Sequence, residues 1–217
     1  MPRTTAVVIV GYALTYAAAV LLGRMSVPAG EQLALIWPAA GVSFLWLKHL
    51  LRLPGAWRRM DLYVSIGLVG LLTFILNTLA HVPLGTNLAS SVGNIVQSLA
   101  AAAFYLRGSD SGLLNSRRRL LDLLAASVLG AVASLPFGLL IAFLSGADWA
   151  NGPAWVLRNT TGIFLVGIIG LRVLRRHPDE LARQKNSRLL AGVSTLITCF
   201  VVWFAFFVTP AIPLSFL

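Results

Sequence analysis

The stretch I-W-P-A-A-G-V-S-F-L-W at residues 36–46 decides how the rest of this chain is interpreted. It lies inside the apolar run 33–51, which is long enough to cross a bilayer. A proline is tolerated there when neighbouring helices satisfy the carbonyl it frees. We therefore predict a transmembrane helix that is kinked near its outer end at Pro38, with its small residues packed against other helices. The alternative is an ordinary packing helix that the proline caps.

The composition favours a membrane protein over a soluble one. Hydrophobic residues make up 58% of the 217 and charged residues 11%, whereas soluble domains are about half apolar and a quarter charged. The mean hydropathy is +0.83. The single cysteine, Cys199, excludes an intramolecular disulfide scaffold.

Seven apolar runs are each about as long as the ~20 residues that a helix needs to cross the hydrocarbon core. In chain order they are residues 6–22, 33–51, 62–80, 88–106, 120–144, 154–174 and 189–208. No good cleavage site follows the first run, so we interpret it as a retained span and not as a signal peptide. The predicted fold class is all-α, a polytopic transmembrane helical bundle of seven spans, with an eighth left open for a longer protein.

The basic residues indicate an orientation. All 17 lysines and arginines except Arg24 and Arg158 lie in or next to alternate segments between the runs. Cytoplasmic loops show this excess of positive charge, so the N-terminus is predicted to be cytoplasmic. The net charge of +10 is then an orientation signal with contact to anionic lipid headgroups. Nucleic-acid binding by short, separated loops is disfavoured.

The closing residues 209–217 are apolar and rise towards a further span. Seven spans that start in the cytoplasm finish outside, where a signalling domain would be on the wrong face. We therefore expect residues 1–217 to form a single integral-membrane domain that lacks, or is cut short before, a cytoplasmic output module. A reporter fused at Leu217 should give a periplasmic readout.

Polar residues within the runs mark a candidate site, because polar groups are costly in lipid and usually face the bundle interior. The predicted ligand-binding residues are Trp37, Asn94, Gln97, Arg158 and Asn159. They would line an outward-facing pocket for a small molecule where the second, fourth and sixth runs meet. The alternative is interhelical hydrogen bonding, worth about 0.6 kcal/mol on average, with Arg158 reaching the headgroups or pairing with Asp148.

The fifth run carries a small residue at every fourth position: Ala126, Gly130, Ser134 and Gly138. Such a face lets a neighbouring helix approach closely, so we predict a packing surface there. Pro136 stands beside this face and is predicted to kink the helix.

Signatures of catalysis and of metal or cofactor binding are missing from the sequence. The three histidines lie far apart in the chain, near the ends of runs or in loops. No motif for a nucleophile, a zinc site or a phosphate-binding loop appears. We predict that the chain is not an enzyme and has neither a metal nor a cofactor.

Three strings resemble the first membrane-associated sensor domain family (MASE type 1), over roughly residues 6–174. They are Ile36-Trp37-Pro38-Ala39-Ala40-Gly41, then Gly93-Asn94 with Gln97, then Asn159-Thr160-Thr161-Gly162. The resemblance implies a bacterial inner-membrane sensory module that precedes cytoplasmic outputs such as diguanylate cyclases, phosphodiesterases and histidine kinases.

The predicted function is a membrane-embedded input domain that detects a small-molecule or membrane-derived signal and relays it to a cytoplasmic output. Repacking of helices around Pro38 and Pro136 would carry the signal. The expected partners are membrane lipids, an unidentified small-molecule ligand and a cytoplasmic signalling domain or protein, with a homodimer left open and no nucleic acid. The alternative is the substrate-binding membrane subunit of a small-molecule transporter, whose basic loops would contact ATPase partners.

Overall fold

The computed structural model describes residues 3–27, 34–52, 58–107, 116–146 and 151–173, and within these ranges it contains α-helices and no β-strand. The helices are α1 (Arg3–Met25), α2 (Pro38–Arg52), α3 (Arg58–Leu79), α4 (Leu84–Arg107), α5 (Arg117–Ala133), α6 (Leu135–Ser145) and α7 (Asn151–Val173). The predicted all-α class is therefore confirmed.

The helix α2 corrects the prediction made for the run 33–51. It begins at Pro38, and residues 34–37 are not helical, so there is no kink within a continuous helix. Proline fits the first helical position because its fixed φ suits a helix and its missing N–H has no partner there in any case. The residue before it, Trp37, is biased away from helical backbone for steric reasons. The alternative of a proline-capped packing helix is confirmed.

The helices α5 and α6 form one bent pass through the bundle. They are separated at Ser134 and meet at an angle of 41°, as in a broken span or a re-entrant loop. Pro136 lies in the first turn of α6, where its ring replaces a backbone donor that the preceding helix would otherwise use. The kink predicted from Pro136 is confirmed.

The small residues allow close contacts between helices, as predicted. A Cβ on Gly41 of α2 would collide with the carbonyl oxygen of Gly162 in α7 and with the side chain of Val166. A Cβ on Gly130 of α5 would stand 2.7 Å from the Ala101 Cβ in α4. At both crossings the backbones are too close for any side chain larger than a hydrogen atom.

The α4–α5 crossing is also held by a buried arginine at the end of the bundle opposite to the cavity described below. Arg119 is 4% exposed and forms an ion pair of 3.0 Å with Asp122. Its guanidinium group lies 4.2 Å from the ring centroid of Tyr105 and donates to the Tyr105 carbonyl oxygen at 3.4 Å. The neighbouring Arg118 is exposed.

The surface of the bundle is apolar, unlike that of a water-soluble protein, and several polar side chains are buried within the apolar core. Large apolar side chains face outward, with Leu14 68%, Phe143 69% and Leu157 69% exposed. In the interior, Ser43 and Gln97 are completely buried. An apolar surface of this extent is rare on soluble monomers, whereas it suits a protein whose surrounding solvent is lipid.

Three helices are long and apolar enough to cross a membrane: Ala6–Met25, Arg59–Leu79 and Gly152–Arg172. The bent pair α5–α6 makes a fourth if it counts as one span. The 15 residues of α2 rise only about 22 Å, and α4 carries a row of buried serine, asparagine and glutamine side chains. Seven spans are therefore not recovered among the described residues, and the seventh run, 189–208, lies outside them.

Candidate functional site

A cavity of about 220 Å³ lies at the end of the bundle where α1, α3 and α6 finish and α2, α4 and α7 begin. Its walls combine cationic, indole, amide, hydroxyl and aliphatic groups. The polar and aromatic lining residues are Arg24, Trp37, Asn77, His81, Thr86, Ser90, Asn94, Trp155 and Arg158. The lining therefore draws on α1, α3, α4, α6 and α7, and on the segment that precedes α2.

Arg158 lies against two indole rings at this cavity. Its guanidinium carbon is 4.4 Å from the ring centroid of Trp155 and 5.3 Å from that of Trp37. Trp155 precedes it by three residues on α7, a spacing that places both side chains on one face of the helix. At these distances, cation–π attraction favours the position of the guanidinium group beside the rings. Its Nε has no hydrogen-bond partner among the described residues.

A chain of buried hydrogen bonds joins the two indoles beneath the cavity. Trp37 Nε1 donates to Asn94 Oδ1 at 3.0 Å, and Gln97 Nε2 donates to the same oxygen at 3.1 Å. On the other side, Trp155 Nε1 donates to Ser134 Oγ at 3.0 Å. The Ser134 hydroxyl lies 3.4 Å from Gln97 Oε1 and closes the chain.

The Ser134 hydroxyl has a choice between two acceptors. Besides Gln97 Oε1, the carbonyl oxygen of Ala131 lies 2.9 Å from it, one turn back in α5. A hydroxyl carries a single proton, so it donates fully to only one of them at a time. Since Ser134 is the residue at which α5 and α6 separate, the polar chain from the cavity ends at the bend of the bundle.

A second branch of the network leads to α1 and α3. Asn94 Nδ2 donates to Thr73 Oγ1 at 3.3 Å, and the Tyr16 hydroxyl lies 2.7 Å from the same Thr73 oxygen. All three side chains are buried. The Asn94 amide therefore connects α4 to α3 and to Trp37 before α2, and the Thr73 hydroxyl extends the connection to α1.

Glycines provide the space that the two indoles occupy. A Cβ on Gly23 would stand 2.6 Å from the Trp37 ring, and a Cβ on Gly138 would stand 2.7 Å from the Trp155 ring. Both distances are far below van der Waals contact. The two rings can occupy these positions only because Gly23 and Gly138 have no side chain. The position of Arg158, which contacts both rings, depends on the same two glycines.

The structure brings four of the five predicted site residues together. Trp37, Asn94 and Arg158 line the cavity, and Gln97 lies beneath it, bonded to Asn94. Asn159 does not line the cavity; it is completely buried, and neither of its amide atoms has a hydrogen-bond partner among the described residues. The interhelical hydrogen bonding considered as the alternative is present. Ligand binding by these residues stays a prediction.

The sequence analysis missed other lining residues, above all Arg24 and Trp155. A signal for Arg24 was available, because Arg24 and Arg158 are the two basic residues that depart from the positive-inside pattern, and both line the cavity. Trp155 could have been found from its spacing of three residues from Arg158. The pairing considered between Arg158 and Asp148 cannot be placed, because Asp148 lies outside the described residues.

Within the ranges that the structure describes, no group of three histidine, cysteine or carboxylate side chains is close enough to hold a metal ion. No family model, curated protein or solved structure matches the chain. The function therefore has to be inferred from the cavity and the bonds that surround it.

Proposed function

We propose that this chain is a multi-pass sensory input domain of a bacterial inner membrane that binds a small molecule in the cavity beside Arg158. A cytoplasmic output of the diguanylate cyclase, phosphodiesterase or histidine kinase type would receive the signal. The observation that carries this proposal is the continuous polar path from the cavity to the bend between α5 and α6. Such a path gives a ligand a physical means of changing helix packing.

The distribution of charge supports the membrane orientation. The cavity lies at the end of the bundle that is nearly free of basic residues, apart from Arg24 and Arg158. The opposite end carries the arginines that close α2, α4 and α7 and open α5. Under the positive-inside rule, the cavity opens towards the periplasm and the arginine-rich end contacts the cytoplasm.

The coupling step would operate through Trp155 and Ser134. A ligand that moves the Trp155 indole changes the hydrogen bond that Ser134 accepts from it at 3.0 Å. The Ser134 proton can then shift between Gln97 and the Ala131 carbonyl, which alters the bend of the α5–α6 pass. The inner end of α5 begins at Arg117, next to the cytoplasmic side. The ligand shifts this equilibrium only as far as its affinities for the two arrangements differ.

The packing below the cavity favours a receptor over a transporter subunit. There α2 and α7 touch at Gly41 and Gly162, and α4 and α5 touch at Ala101 and Gly130. These contacts leave no space for a solute to pass between α2 and α7 or between α4 and α5 at these crossings.

Cross-linking in native membranes, followed by identification of the attached protein, tests the proposal. A cyclase, phosphodiesterase or kinase is the expected partner. Trp155→Phe should change the output of that partner, because the variant keeps an aromatic ring but loses the N–H that donates to Ser134. Tyr63→Phe, at an exposed ring, is the matched control and should leave the output unchanged. An ATPase as the partner would instead favour the transporter subunit.

The orientation is tested separately with single cysteines in a Cys199→Ser background. A cysteine at His81, in the exposed turn beside the cavity, should react with a membrane-impermeant maleimide in intact cells. A cysteine at Arg118 should react only after the cells are opened. The reverse pattern of labelling would contradict the proposed orientation.

A further inference from the structure

The cavity carries positive charge without a compensating acid among its described lining residues. Arg24 and Arg158 both line it, and no aspartate or glutamate is among the lining side chains. Both positive charges therefore face the same cavity. A charge withdrawn from water without a partner is costly. Among the described residues, the two arginines therefore lack the anion that would balance their charge.

The geometry of Arg158 leaves its donors available. The indoles of Trp37 and Trp155 contact the guanidinium group through their rings, and no ion pair to Arg158 is present in the described part of the chain. A guanidinium that stacks on aromatic rings keeps its in-plane N–H groups for a planar or tetrahedral oxyanion. The stacking also fixes the side chain before a ligand arrives, which lowers the entropy lost on binding.

The helix ends do not determine the sign of the electrostatic potential in the cavity. The termini of α2 and α4 that begin there carry positive partial charge, and those of α1 and α3 that end there carry negative partial charge. These contributions oppose one another, so the two arginines set the electrostatic potential.

One lining residue offers an acceptor in addition to these donors. Asn77 is 3% exposed, and its Oδ1 has no hydrogen-bond partner among the described residues. A buried carbonyl oxygen left without a donor is unfavourable, and a hydroxyl group on the ligand would satisfy it. The volume of about 220 Å³ lies below the range typical of drug-sized ligands.

Building on the proposed function, we infer that the cavity binds a small oxyanion, a carboxylate or phosphate that also carries a hydroxyl group, through Arg158 and Arg24. Two sources share this chemistry: a free metabolite from the periplasm and the phosphate of an anionic lipid headgroup. The apolar wall, which includes Ile141 and Pro83, suits the short carbon skeleton of either one.

Isothermal titration calorimetry on the full chain in phosphatidylcholine nanodiscs tests the inference. The probes are lactate and glycerol 3-phosphate, with lactamide and glycerol as their neutral counterparts. We expect the anions to bind and the neutral compounds not to. Native mass spectrometry in nanodiscs that contain phosphatidylglycerol is the second arm, in which retained phosphatidylglycerol identifies the lipid as the source. Binding in either arm supports an oxyanion site.

Variants locate the site. Arg158→Gln should lower the affinity, or the retention of phosphatidylglycerol, at least about tenfold because it removes a charged hydrogen-bond donor. Arg158→Lys keeps the charge but loses the planar guanidinium group, so the affinity should fall by an intermediate factor. Arg172→Gln, at an exposed arginine near the other end of α7, is the matched control and should leave binding unchanged.

Three results would overturn the inference: no binding in either arm, equal binding of the neutral compounds, or full binding by Arg158→Gln. A fourth is binding that appears only when an acid of the chain is neutralised, in Glu31→Gln or Asp148→Asn. The last result would mean that a carboxylate of the chain itself neutralises the arginines. None of these measurements involves the signalling partner. If the anions fail to bind but Trp155→Phe still changes the output, the sensory function stands and only the ligand class is wrong.

Discussion

Replacing Gly41 by alanine should weaken the bundle through one identifiable collision. The added Cβ would stand 2.9 Å from Val166 Cγ1, and closer still to Val166 Cβ and the Gly162 carbonyl oxygen. Carbon atoms prefer separations near 3.5 Å, so α2 and α7 have to move apart by about 1 Å. Overpacking of this kind costs about 1–3 kcal/mol, which raises the unfolding equilibrium constant roughly 5- to 150-fold.

The assay is unfolding by sodium dodecyl sulfate in mixed micelles, followed by tryptophan fluorescence. Gly67→Ala, in the middle of α3, is the matched control because a Cβ there meets nothing within 4 Å. Gly41→Ala should unfold at a lower detergent fraction, and Gly67→Ala should not. Adding Val166→Ala should restore only a small part of the loss, because it removes Cγ1 while the Cβ of residue 166 and the Gly162 carbonyl oxygen remain in the way. Equal unfolding of Gly41→Ala and Gly67→Ala would refute the proposed contact between α2 and α7.

Three further predictions concern buried polar groups. Gln97→Leu should lower the free energy of unfolding by roughly 0.6 kcal/mol or more because it breaks interhelical bonds. Asn159→Leu should raise it by about 1 kcal/mol because the amide is buried with no partner among the described residues. The same unfolding assay checks both, and insertion into the membrane should be unchanged; a destabilised Asn159→Leu would mean that the amide has a partner. Arg119→Met should lower the free energy of unfolding by about 1.5–3 kcal/mol because charged hydrogen bonds are lost. Arg118→Met, at an exposed arginine, is the control and should cause no measurable change. Equal stability of the two variants would contradict the role given to the ion pair between Arg119 and Asp122.

The sequence predicted the helical class and the bend because both depend on local chemistry. The runs are apolar over the length of a helix, and Pro136 removes a backbone donor wherever it stands. The same reasoning was wrong at Pro38, because the apolar residues continue on both sides of the proline and hide the start of α2. A run of apolar residues shows what the segment is buried in, but it does not show where the helix begins.

The site was predicted less completely than the fold. Asn94 and Gln97, three residues apart on one helix, do share a face and a hydrogen bond. Arg158 and Asn159 are adjacent, and successive residues point about 100° apart on a helix, so both could not line the same cavity. The contribution of Arg24 depends on how α1 packs, because its own segment gives no sign of a partner on α7. Only the tertiary arrangement brings the two arginines together.

The shortness of α2 has a consequence for biogenesis. Its 15 residues are buried on nearly every side and include the buried Lys48, so it offers the translocon neither the length nor the uniformly apolar surface that drives independent insertion. The flanking helices α1 and α3 have both. We therefore expect α2 to enter the bilayer together with α1 and α3 and not on its own.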